Sequence, residues 1–494
     1  MQCLARRRFL GYTGAVLTAP TLSFLAGCST NPATGRSTFT GLMSRADEAE
    51  IGAQEHPRIL DEFGGVYSEG GRDFYLARIG GTLGRQTETP DATYTFTLLN
   101  SPIVNAFALP GGYVYATRGL MALAGDEAEL AGVIGHELGH VVARHSAQRY
   151  SQAVLAGGLG AVLGIVVGSA EVSRAADIGA GAYLAGFSRE NELEADMLGV
   201  RYLAKAGYDP NAMSSFLARL GAHSALESKL LGQDGADGFD FFASHPRTQD
   251  RVSAAIVEAR AFTAARPTRH RDVFLGQMDR MLYGDDPAEG VARGLTFSHP
   301  ALRFRFTVPR GYRLINGRDT VQALHPDGAR LIFDLAPGPY DGSMVNYLRA
   351  VWGRDIPMTD LQGLTIDGLD AATAGASATS GGRRFVVHLA AIRGAADRIY
   401  RFLHLLPSDK ARAMQAGARD TVTSFRRLSQ AEAAAIRPLR LAVRTAVAGD
   451  TVDRLAAAMP FDDFTSDRFR TLNGLGANQT LVAGQLYKTV VEAP

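Results

Sequence analysis

The run Gly135-His136-Glu137-Leu138-Gly139-His140 constrains the fold of this chain more than any other stretch. In a helix, His136 and His140 stand one turn apart on the same face. Both imidazoles can then reach one tetrahedral metal ion, while the Glu137 carboxylate lies beside it. The chain must therefore build a buried helix here if the run carries metal chemistry.

The sequence around the run predicts such a helix. Asp126 is suited to be its N-cap, with Glu129 as the reciprocal partner three residues later. Apolar residues follow at helical spacing: Leu130, Val133, Ile134, Leu138, Val141 and Val142. On a helix, the run is the H-E-x-x-H arrangement of zinc proteases.

Two histidines do not complete a catalytic zinc site, which needs a third protein ligand and a position open to water. The segment Ser188 to Asp196 holds two pairs of acidic residues that are each one helical turn apart. In one pair, Glu192 can bind the metal while Asp196 accepts a proton from a ligating imidazole. Glu190 and Glu194 form an equally spaced pair on another face. Spacing alone leaves both pairs open, and a solvated acidic helix face is the alternative for each.

Composition indicates a globular protein of two to four domains. The chain has 494 residues, 46% hydrophobic and 20% charged, with a formal net charge of +1. Near-neutral charge gives no reason to expect a nucleic-acid partner.

The first 28 residues are typical of an exported bacterial lipoprotein. Arg6-Arg7-Arg8-Phe9-Leu10 begins a basic region, an apolar run follows, and Leu25-Ala26-Gly27-Cys28 resembles a lipobox. The start also resembles a twin-arginine signal, and a generic basic region with a chance Cys is the alternative. Cys28 is the predicted lipidation site, and Ser29 in the next position resembles lipoproteins that are sorted to the outer membrane. The only other cysteine is Cys3, so the mature chain has no disulfide.

The pattern along the chain predicts an α+β protein. We expect a mainly helical, zincin-type metalloprotease domain with a small edge-strand sheet, then an α+β domain, then a small βααβ module. The boundaries are a signal peptide at 1–27, a lipidated tether at 28–46, the metallopeptidase domain at 47–265, a linker at 266–290, an α+β domain of unknown role at 291–432, and the module at 433–494.

Local patterns give further expectations. The helical region from about Asp47 to Leu83 has a predicted core of Ile51, Leu60, Phe63, Phe74, Leu76, Ile79 and Leu83. Strands are predicted near 94–99, 104–116, 302–308, 320–324, 330–335, 384–392 and 398–406. The Gly-rich apolar run 154–169 is short for a membrane span, and a buried helix or a lid near the membrane are its other interpretations.

H-E-x-x-H followed by Glu192-x-x-Ala195-Asp196 resembles the membrane-associated zinc metallopeptidases that include HtpX and the CAAX prenyl proteases, within the gluzincins. The resemblance covers about residues 30–265. It implies one Zn²⁺ ion held by His136, His140 and Glu192, with Asp196 behind the ligands and Glu137 as general base. Asn31-Pro32-Ala33-Thr34-Gly35-Arg36 is similar to periplasmic lipoprotein members.

Two further elements resemble the same family. Asn105-Ala106-Phe107-Ala108, followed by Pro110-Gly111-Gly112, is similar to its substrate-binding edge strand. His245-Pro246 with Arg251 is similar to its later His-Pro…Arg element. The resemblance implies that His245 and Arg251 assist the substrate carbonyl, or that His245 blocks the open metal position and keeps the enzyme latent. A helix-start signal and an ion-pair partner are the alternatives for these two residues.

The remaining histidines are not expected to bind the metal. His145 would lie roughly 140° from the ligand face at 100° per residue. His56 and His223 have no partner by spacing, and His299, His325, His388 and His404 show no ligand spacing.

The last segment resembles a LysM module, a small glycan-binding βααβ fold. The residues that carry this resemblance are Val447 to Thr451, Leu472-Asn473-Gly474-Leu475 and Leu481 to Lys488. The insert at 463–466 departs from the compact pattern. Peptidoglycan is accordingly a predicted partner, separate from the metal site.

Together these features predict a lipid-anchored, zinc-dependent endopeptidase of the bacterial cell envelope, on the periplasmic side. Its substrates would be unfolded or extended envelope proteins, because an extended segment can add to a free sheet edge. Two alternatives stay open: a latent metal-binding chaperone or assembly factor, and a peptidoglycan-tethered envelope protein. The general base Glu137 argues against pure scaffolding.

Overall fold

The computed structural model describes residues 28–155, 186–231, 245, 249–262, 266–336, 339–380, 382–394 and 398–493. The predicted signal peptide, nearly all of the Gly-rich run 154–169 and the loop 232–238 lie outside these residues. The chain forms two compact units. Described residues of the first lie within 28–222, 245–281 and 471–475, and those of the second within 223–231, 282–470 and 476–493. Each unit is described by itself.

Helices dominate the first unit. In chain order the helices up to Met278 are α1 Arg45–Glu62, α2 Arg72–Gly84, α3 Arg118–Leu123, α4 Glu127–Val142, α5 His145–Leu155, α6 Arg189–Lys205, α7 Ala212–Leu231, α8 Gln249–Ala261 and α9 Arg271–Met278, with a 3₁₀ turn at Glu69–Gly71. A short hairpin of β1 Cys28–Thr30 and β2 Ser37–Phe39 precedes them. Where the sequence predicts a tether, the structure thus has a paired hairpin and the N-cap Ser44 of α1.

A three-stranded sheet lies beside α4. It contains β3 Thr95–Leu99, β4 Ala106–Leu109 and β5 Tyr113–Thr117 in the order β3-β5-β4. β5 runs parallel to β3 and antiparallel to β4. Among the described strands β4 is an edge strand, and it packs against α4. The extended runs predicted at 94–99 and 104–116 correspond to these strands.

The start of α4 is fixed largely as the sequence predicts. The Asp126 side chain accepts a hydrogen bond from the Glu129 backbone N–H at 2.9 Å. Glu129 does not provide the expected reciprocal bond. Its carboxylate instead accepts from the Gly125 N–H at 2.7 Å and pairs with Arg219. Two backbone N–H groups near the start of the helix are thus hydrogen-bonded. One belongs to Glu129 in the first turn, and the other belongs to Gly125, one residue before the N-cap.

Small residues bring α4 and α6 close together. A Cβ atom on Gly139 would lie 3.0 Å from the Ala195 carbonyl oxygen, and one on Gly199 would lie 3.0 Å from the His136 backbone nitrogen. Larger side chains at these positions would push the two helices apart. Because Gly139 lies within the H-E-x-x-H run and Gly199 packs against the backbone of His136, the close approach places the histidines of α4 opposite the acidic residues of α6.

The second unit is built mainly from antiparallel sheets. Its strands are β6 Leu282–Tyr283, β7 Val291–Arg293, β8 Thr296–His299, β9 Phe304–Thr307, β10 Arg313–Asn316, β11 Thr320–Leu324, β12 Arg330–Ala336, β13 Thr359–Ile366, β14 Leu369–Ser380, β15 Arg383–Arg393, β16 Ile399–Pro407, β17 Arg426–Arg427, β18 Leu439–Thr445 and β19 Leu486–Glu492. The main sheet has the order β10-β11-β12-β16-β15-β14-β13. The strands predicted near 320, 330, 384 and 398 all belong to it.

Short helices accompany these sheets. They are α10 Met344–Tyr347 with a π-helical turn at Leu348–Trp352, a 3₁₀ turn at Pro287–Glu289, α11 Ala411–Thr423, α12 Gln430–Ala434, α13 Val452–Ala457 and α14 Thr465–Asn473. One side of the main sheet packs in an aromatic core whose phenylalanines are Phe297, Phe304, Phe306, Phe333, Phe402 and Phe425. At the C-terminus the order is β18, α13, α14, β19, with β18 antiparallel to β19. The protein is therefore α+β overall.

One core prediction is wrong. Phe74 is 77% exposed, although Leu76, Ile79 and Leu83 of the same helix are fully buried. The buried face of α2 follows Arg72, Tyr75, Leu76, Ile79 and Leu83, a period that turns Phe74 outward. The Tyr75 hydroxyl is held inside by donating a 2.5 Å hydrogen bond to the buried Glu127. Among the described helices, none has both the length and the apolar character needed to span a membrane.

Candidate metal centre

Four side chains converge in the buried interior of the first unit. His136 and His140 come from α4, Glu192 comes from α6, and His245 lies in the segment before α8. All four are at most 3% exposed. One donor atom from each lies within 4.8 Å of the other three. Among the described residues, this is the group of His, Cys, Asp and Glu side chains that could hold a metal ion.

The spacing of these donors fits a tetrahedral zinc ion. Four ligands at zinc-bond distance from one centre lie roughly 3.3–3.6 Å from each other. The His136 Nε2 atom lies 3.0 Å from His140 Nε2 and 3.2 Å from His245 Nδ1. The Glu192 oxygens lie 3.6 Å from His136 Nε2, 3.5 Å from His140 Nε2 and 3.0 Å from His245 Nδ1. His245 thus takes the fourth corner of the donor set.

Glu137 provides a second reason why these residues fit a metal. Its side chain is fully buried, yet neither carboxylate oxygen has a hydrogen-bond partner among the described residues. The Nε2 atom of His245 lies 3.4 Å from the Oε1 atom of Glu137. Burial raises the pKa of Glu137, although His245 and His136 oppose the shift. A buried carboxylate without a partner is costly and is rarely kept without a function.

The nitrogen of His136 that faces away from the donors is held by Asp196. Its Nδ1 atom lies 2.8 Å from Asp196 Oδ1, so Nε2 is the nitrogen that faces the other donors. Arg251 donates to both oxygens of Asp196, at 2.7 Å each, and also contacts Glu192 at 2.8 Å. Burial alone would raise the pKa of Asp196, but hydrogen bonds from Arg251 keep it below its ordinary value. The geometry of Arg251 is that of an ion-pair partner which orients two carboxylates.

His140 is held in the same way by a residue that the helical spacing placed elsewhere. The Nδ1 atoms of His140 and His145 lie 2.9 Å apart. α4 ends at Val142, and Arg144 has a left-handed φ of 57°. The rotation of 100° per residue therefore does not extend to His145, and its ring lies against the ring of His140. His145 stays outside the donor group, but it contacts the nitrogen opposite the one that faces the metal.

The other predicted residues divide between buried and exposed positions. Asn105 is buried and precedes β4, which contains Ala106, Phe107 and Ala108. The two acidic pairs differ in their position: Glu192 is among the metal donors, whereas Glu190 is exposed and Glu194, although buried, lies 3.4 Å from His145 Nε2. Burial opposes ionisation of Glu194, but hydrogen bonds from His145 and Thr34 lower its pKa to about 2.

Two histidines on an H-E-x-x-H helix and a glutamate from a neighbouring helix form the same pattern of donors as the zinc sites of H-E-x-x-H metallopeptidases. Residues 72–259, which contain all four donors, match the family model Peptidase family M48. The family match and the donor set together confirm zinc as the metal.

The chain is also similar in sequence to curated proteases. The chain is 34% identical over 194 residues to the Beta-barrel assembly-enhancing protease of Escherichia coli (strain K12), covering 37% of each chain. It is 30% identical over 223 residues to the protein of that name from Yersinia pestis, covering 43% of this chain and 44% of the relative. It is 36% identical over 155 residues to Mitochondrial metalloendopeptidase OMA1 of Arabidopsis thaliana, covering 31% and 29%. The chain spans less than half the length of each of these three relatives.

Proposed function

We propose that this chain is a zinc-dependent metalloendopeptidase that hydrolyses peptide bonds of unfolded or misassembled proteins of the bacterial cell envelope. The observation that carries the proposal is the buried Glu137 carboxylate, which has no hydrogen-bond partner among the described residues and lies 3.4 Å from His245, one of the four candidate donors. A purely structural zinc site has no need for a free base in that place.

The chemistry divides between the metal and the chain. Bound zinc supplies Lewis acidity, which lowers the pKa of water and polarises a peptide carbonyl. Glu137 accepts the proton of the attacking water at a carboxylate oxygen and passes it to the leaving nitrogen as the C–N bond breaks. Because burial raises the pKa of Glu137, its protonated form is accessible during this transfer. Asp196 and Arg251 keep the imidazole of His136 and the carboxylate of Glu192 in place.

The sheet edge supports a preference for extended substrates. β4 has a strand partner on one side only among the described strands, and it packs against the helix that carries the ligands. A substrate segment that pairs with this edge presents its backbone in a regular register near the metal. A folded protein cannot offer such a segment, so unfolded and misassembled chains are the expected substrates.

The position of His245 supports an enzyme that is latent in this arrangement. Its Nδ1 atom is among the four donors, and its Nε2 atom faces the general base Glu137. In this arrangement His245 takes the position that an attacking water needs. We therefore propose that His245 must move away before peptide bonds are cut. This latency also accommodates the alternative of a chaperone or assembly factor with minor proteolysis.

Casein cleavage by the purified, zinc-loaded chain tests the activity. We expect Glu137→Gln to retain one zinc per chain and to lose about 10²–10⁴-fold in rate, because it removes only the base. His245→Ala should cleave casein faster than the parent, because the fourth position is then open. If every form binds zinc and none cuts any unfolded protein, the peptidase proposal is wrong and the chaperone alternative is favoured.

The cellular setting is part of the proposal. The lipobox-like residues before Cys28 and the following Ser29 support a lipoprotein of the outer membrane that faces the periplasm. Similarity to proteases named for enhancing β-barrel assembly supports substrates among outer-membrane proteins. Mass spectrometry of the N-terminal peptide from native membranes should show an acylated Cys28. An unmodified peptide would contradict the anchor without bearing on the metal centre.

We also propose that the C-terminal segment is a LysM-like module that binds peptidoglycan. The order β18, α13, α14, β19 and the antiparallel pairing of its outer strands support a βααβ unit. Sedimentation with purified peptidoglycan should retain the full chain and lose a form that lacks 437–494. Equal sedimentation of both forms would contradict glycan binding at this segment.

A further inference from the structure

The N-terminal hairpin contacts the layer of residues directly behind the metal ligands. We name the loop Asn31–Arg36, between β1 and β2, the N-terminal clip. We infer that the clip is a positioning element of the metal centre, because it holds Glu194, which through His145 holds the zinc ligand His140. The inference rests on the zinc site and deepens the proposed function.

The clip contacts helix α6 through the buried carboxylate of Glu194. The Asn31 amide nitrogen donates to Glu194 Oε1 at 2.6 Å, and the Thr34 hydroxyl donates to the same oxygen at 2.5 Å. Arg36 donates to Oε2 at 3.3 Å. Asn31 and Glu194 are 5% and 8% exposed, so water competes little for these bonds.

The clip is shaped so that Asn31 presents its donor to Glu194. The Asn31 side-chain oxygen accepts from the Ala33 N–H at 2.8 Å, which directs the amide nitrogen the other way. The Asn31 backbone closes the loop through bonds with Gly35 and Arg36 at 2.9 and 2.8 Å. Gly35 has a φ of +70°, a conformation that favours glycine. Arg201 of α6 also donates to the Ala33 carbonyl at 3.2 Å.

The path from Glu194 to the metal fixes the orientation of two histidine rings. His145 Nε2 lies 3.4 Å from Glu194 Oε2, so the ionised glutamate favours the proton on that nitrogen. The Nδ1 atom of His145 is then an acceptor for the Nδ1–H of His140, 2.9 Å away. His140 consequently turns its unprotonated Nε2 toward the zinc position. Asp196 performs the same task for His136 directly, whereas His140 depends on a path that ends in the clip.

The clip follows Cys28 by only a few residues. The segment that the proposed lipid anchor would tether is therefore bound into the support of a zinc ligand. Displacement of the clip removes its two short bonds to Glu194 and weakens the orientation of His140. The consequence is that zinc affinity depends on residues more than 100 positions before the ligands.

Zinc affinity of the purified full chain, measured by competition with a fluorescent chelator, tests the inference independently of proteolysis. Loss of outer-layer partners typically weakens metal binding about 10–100-fold, and we expect this range for Glu194→Gln and for His145→Phe. His145→Gln keeps an acceptor and a donor and should recover part of the loss. The double variant Asn31→Ala/Thr34→Ala should weaken zinc binding about tenfold.

Matched controls separate this path from a general loss of structure. Glu190→Gln removes the same charge from the exposed face of the same helix and should leave zinc affinity unchanged. Ser37→Ala alters the hairpin outside the clip and should also have no effect. Adding the clip changes to Glu194→Gln should weaken binding no further, because both act through one carboxylate.

Three results would overturn the inference: clip variants with parental zinc affinity, controls as damaging as Glu194→Gln, or a fully additive triple variant. Each variant is first compared with the parent by circular dichroism. Variants that fail to fold are replaced by Thr34→Ala alone and His145→Gln, which should bind zinc more weakly than the parent but more tightly than the double clip variant and His145→Phe, respectively. Zinc binding that follows these expectations without any casein cleavage would support the clip and contradict only the peptidase proposal.

Discussion

Arg251 is 1% exposed and carries a full charge beside two ionised carboxylates, Asp196 and Glu192. We expect Arg251→Ala to destabilise the zinc-loaded protein by about 3–5 kcal/mol, because it leaves buried negative charge uncompensated. Urea unfolding followed by far-ultraviolet circular dichroism measures this change. The stability of Arg251→Lys should lie between those of the parent and Arg251→Ala, because lysine keeps the positive charge but cannot donate to both oxygens of Asp196.

The double variant Arg251→Leu/Asp196→Asn provides the control, because it removes the guanidinium together with the carboxylate charge that accepts two of its hydrogen bonds. If the loss in Arg251→Ala comes from an uncompensated carboxylate, the double variant should unfold at a higher urea concentration than Arg251→Ala. A double variant that is less stable than Arg251→Ala would show that packing around the guanidinium, rather than its charge, dominates.

The buried His404 makes the stability of the second unit depend on pH. It is 2% exposed on β16, next to His388 on β15, and neither of its ring nitrogens has a hydrogen-bond partner among the described residues. Burial and the nearby His388 lower its pKa from 6.5 to about 3. Between these values the unfolded chain binds a proton that the folded chain does not. Stability is therefore fully present above pH 6.5 and falls as the pH drops toward 3.

At pH 5 the expected loss from His404 is about 2 kcal/mol relative to pH 7. The only tryptophan, Trp352, lies in the second unit, so its fluorescence during urea unfolding reports on this unit. His404→Leu should unfold with a smaller difference between pH 7 and pH 5 than the parent. Parallel pH profiles for the two proteins would assign the acid sensitivity to other groups.

At the level of elements, the metal centre depends on how closely α4 and α6 approach. A Cβ atom on Gly139 would lie 3.0–3.2 Å from Ala195 backbone atoms and Leu198 Cβ, so Gly139→Ala must shift one helix. Although alanine is the better helix former, we expect a net destabilisation of about 1–3 kcal/mol and weaker zinc binding. Thermal unfolding and chelator competition measure the two effects.

Gly276→Ala in α9 is the matched change, because nothing lies within 4 Å of its added Cβ atom. It should stabilise the protein by roughly 0.5–1 kcal/mol and leave zinc affinity unchanged. A stabilising effect at Gly139 as well would mean that the helices can separate without disturbing the ligands.

The same pair of helices shows what sequence patterns can and cannot predict. The i, i+4 spacing predicts that His136 and His140 share a face, because this follows from helix geometry alone. Spacing leaves the choice between the pair Glu192/Asp196 and the pair Glu190/Glu194 open, since both lie on one helix and only the packing of α6 against α4 distinguishes them. His145 stays outside the donor group as predicted, but helical spacing does not predict its contact with His140, because one left-handed residue, Arg144, changes the direction of the chain after α4.

For the whole molecule, the limit of prediction is sequence separation. The strands of the second unit follow local alternation, and the predicted run 320–324 is confirmed as β11. Contacts such as Asn31 with Glu194 join residues 163 positions apart and leave no periodic signal. The domain boundaries stay predictions. The functions of the edge strand and of the site residues beyond zinc binding also stay predictions, because these functions depend on substrates and partners that a fold does not specify.

The two units should respond differently to loss of zinc. Zinc binds the folded first unit, so it stabilises that unit by an amount that grows with the logarithm of its concentration over its Kd. Among the described residues, the second unit has no group of donors for a metal. Chelation should therefore speed hydrogen exchange in α4 and α6, and exchange in β12, β15 and β16 should stay at its parental rate. Hydrogen-exchange mass spectrometry of the full chain with and without a chelator measures both.

The Glu192→Gln variant, which lacks a ligand, should exchange like the chelated parent even when zinc is present. Faster exchange in both units on chelation would show that zinc stabilises the chain as one cooperative body, and unchanged exchange in α4 and α6 would contradict the zinc site itself.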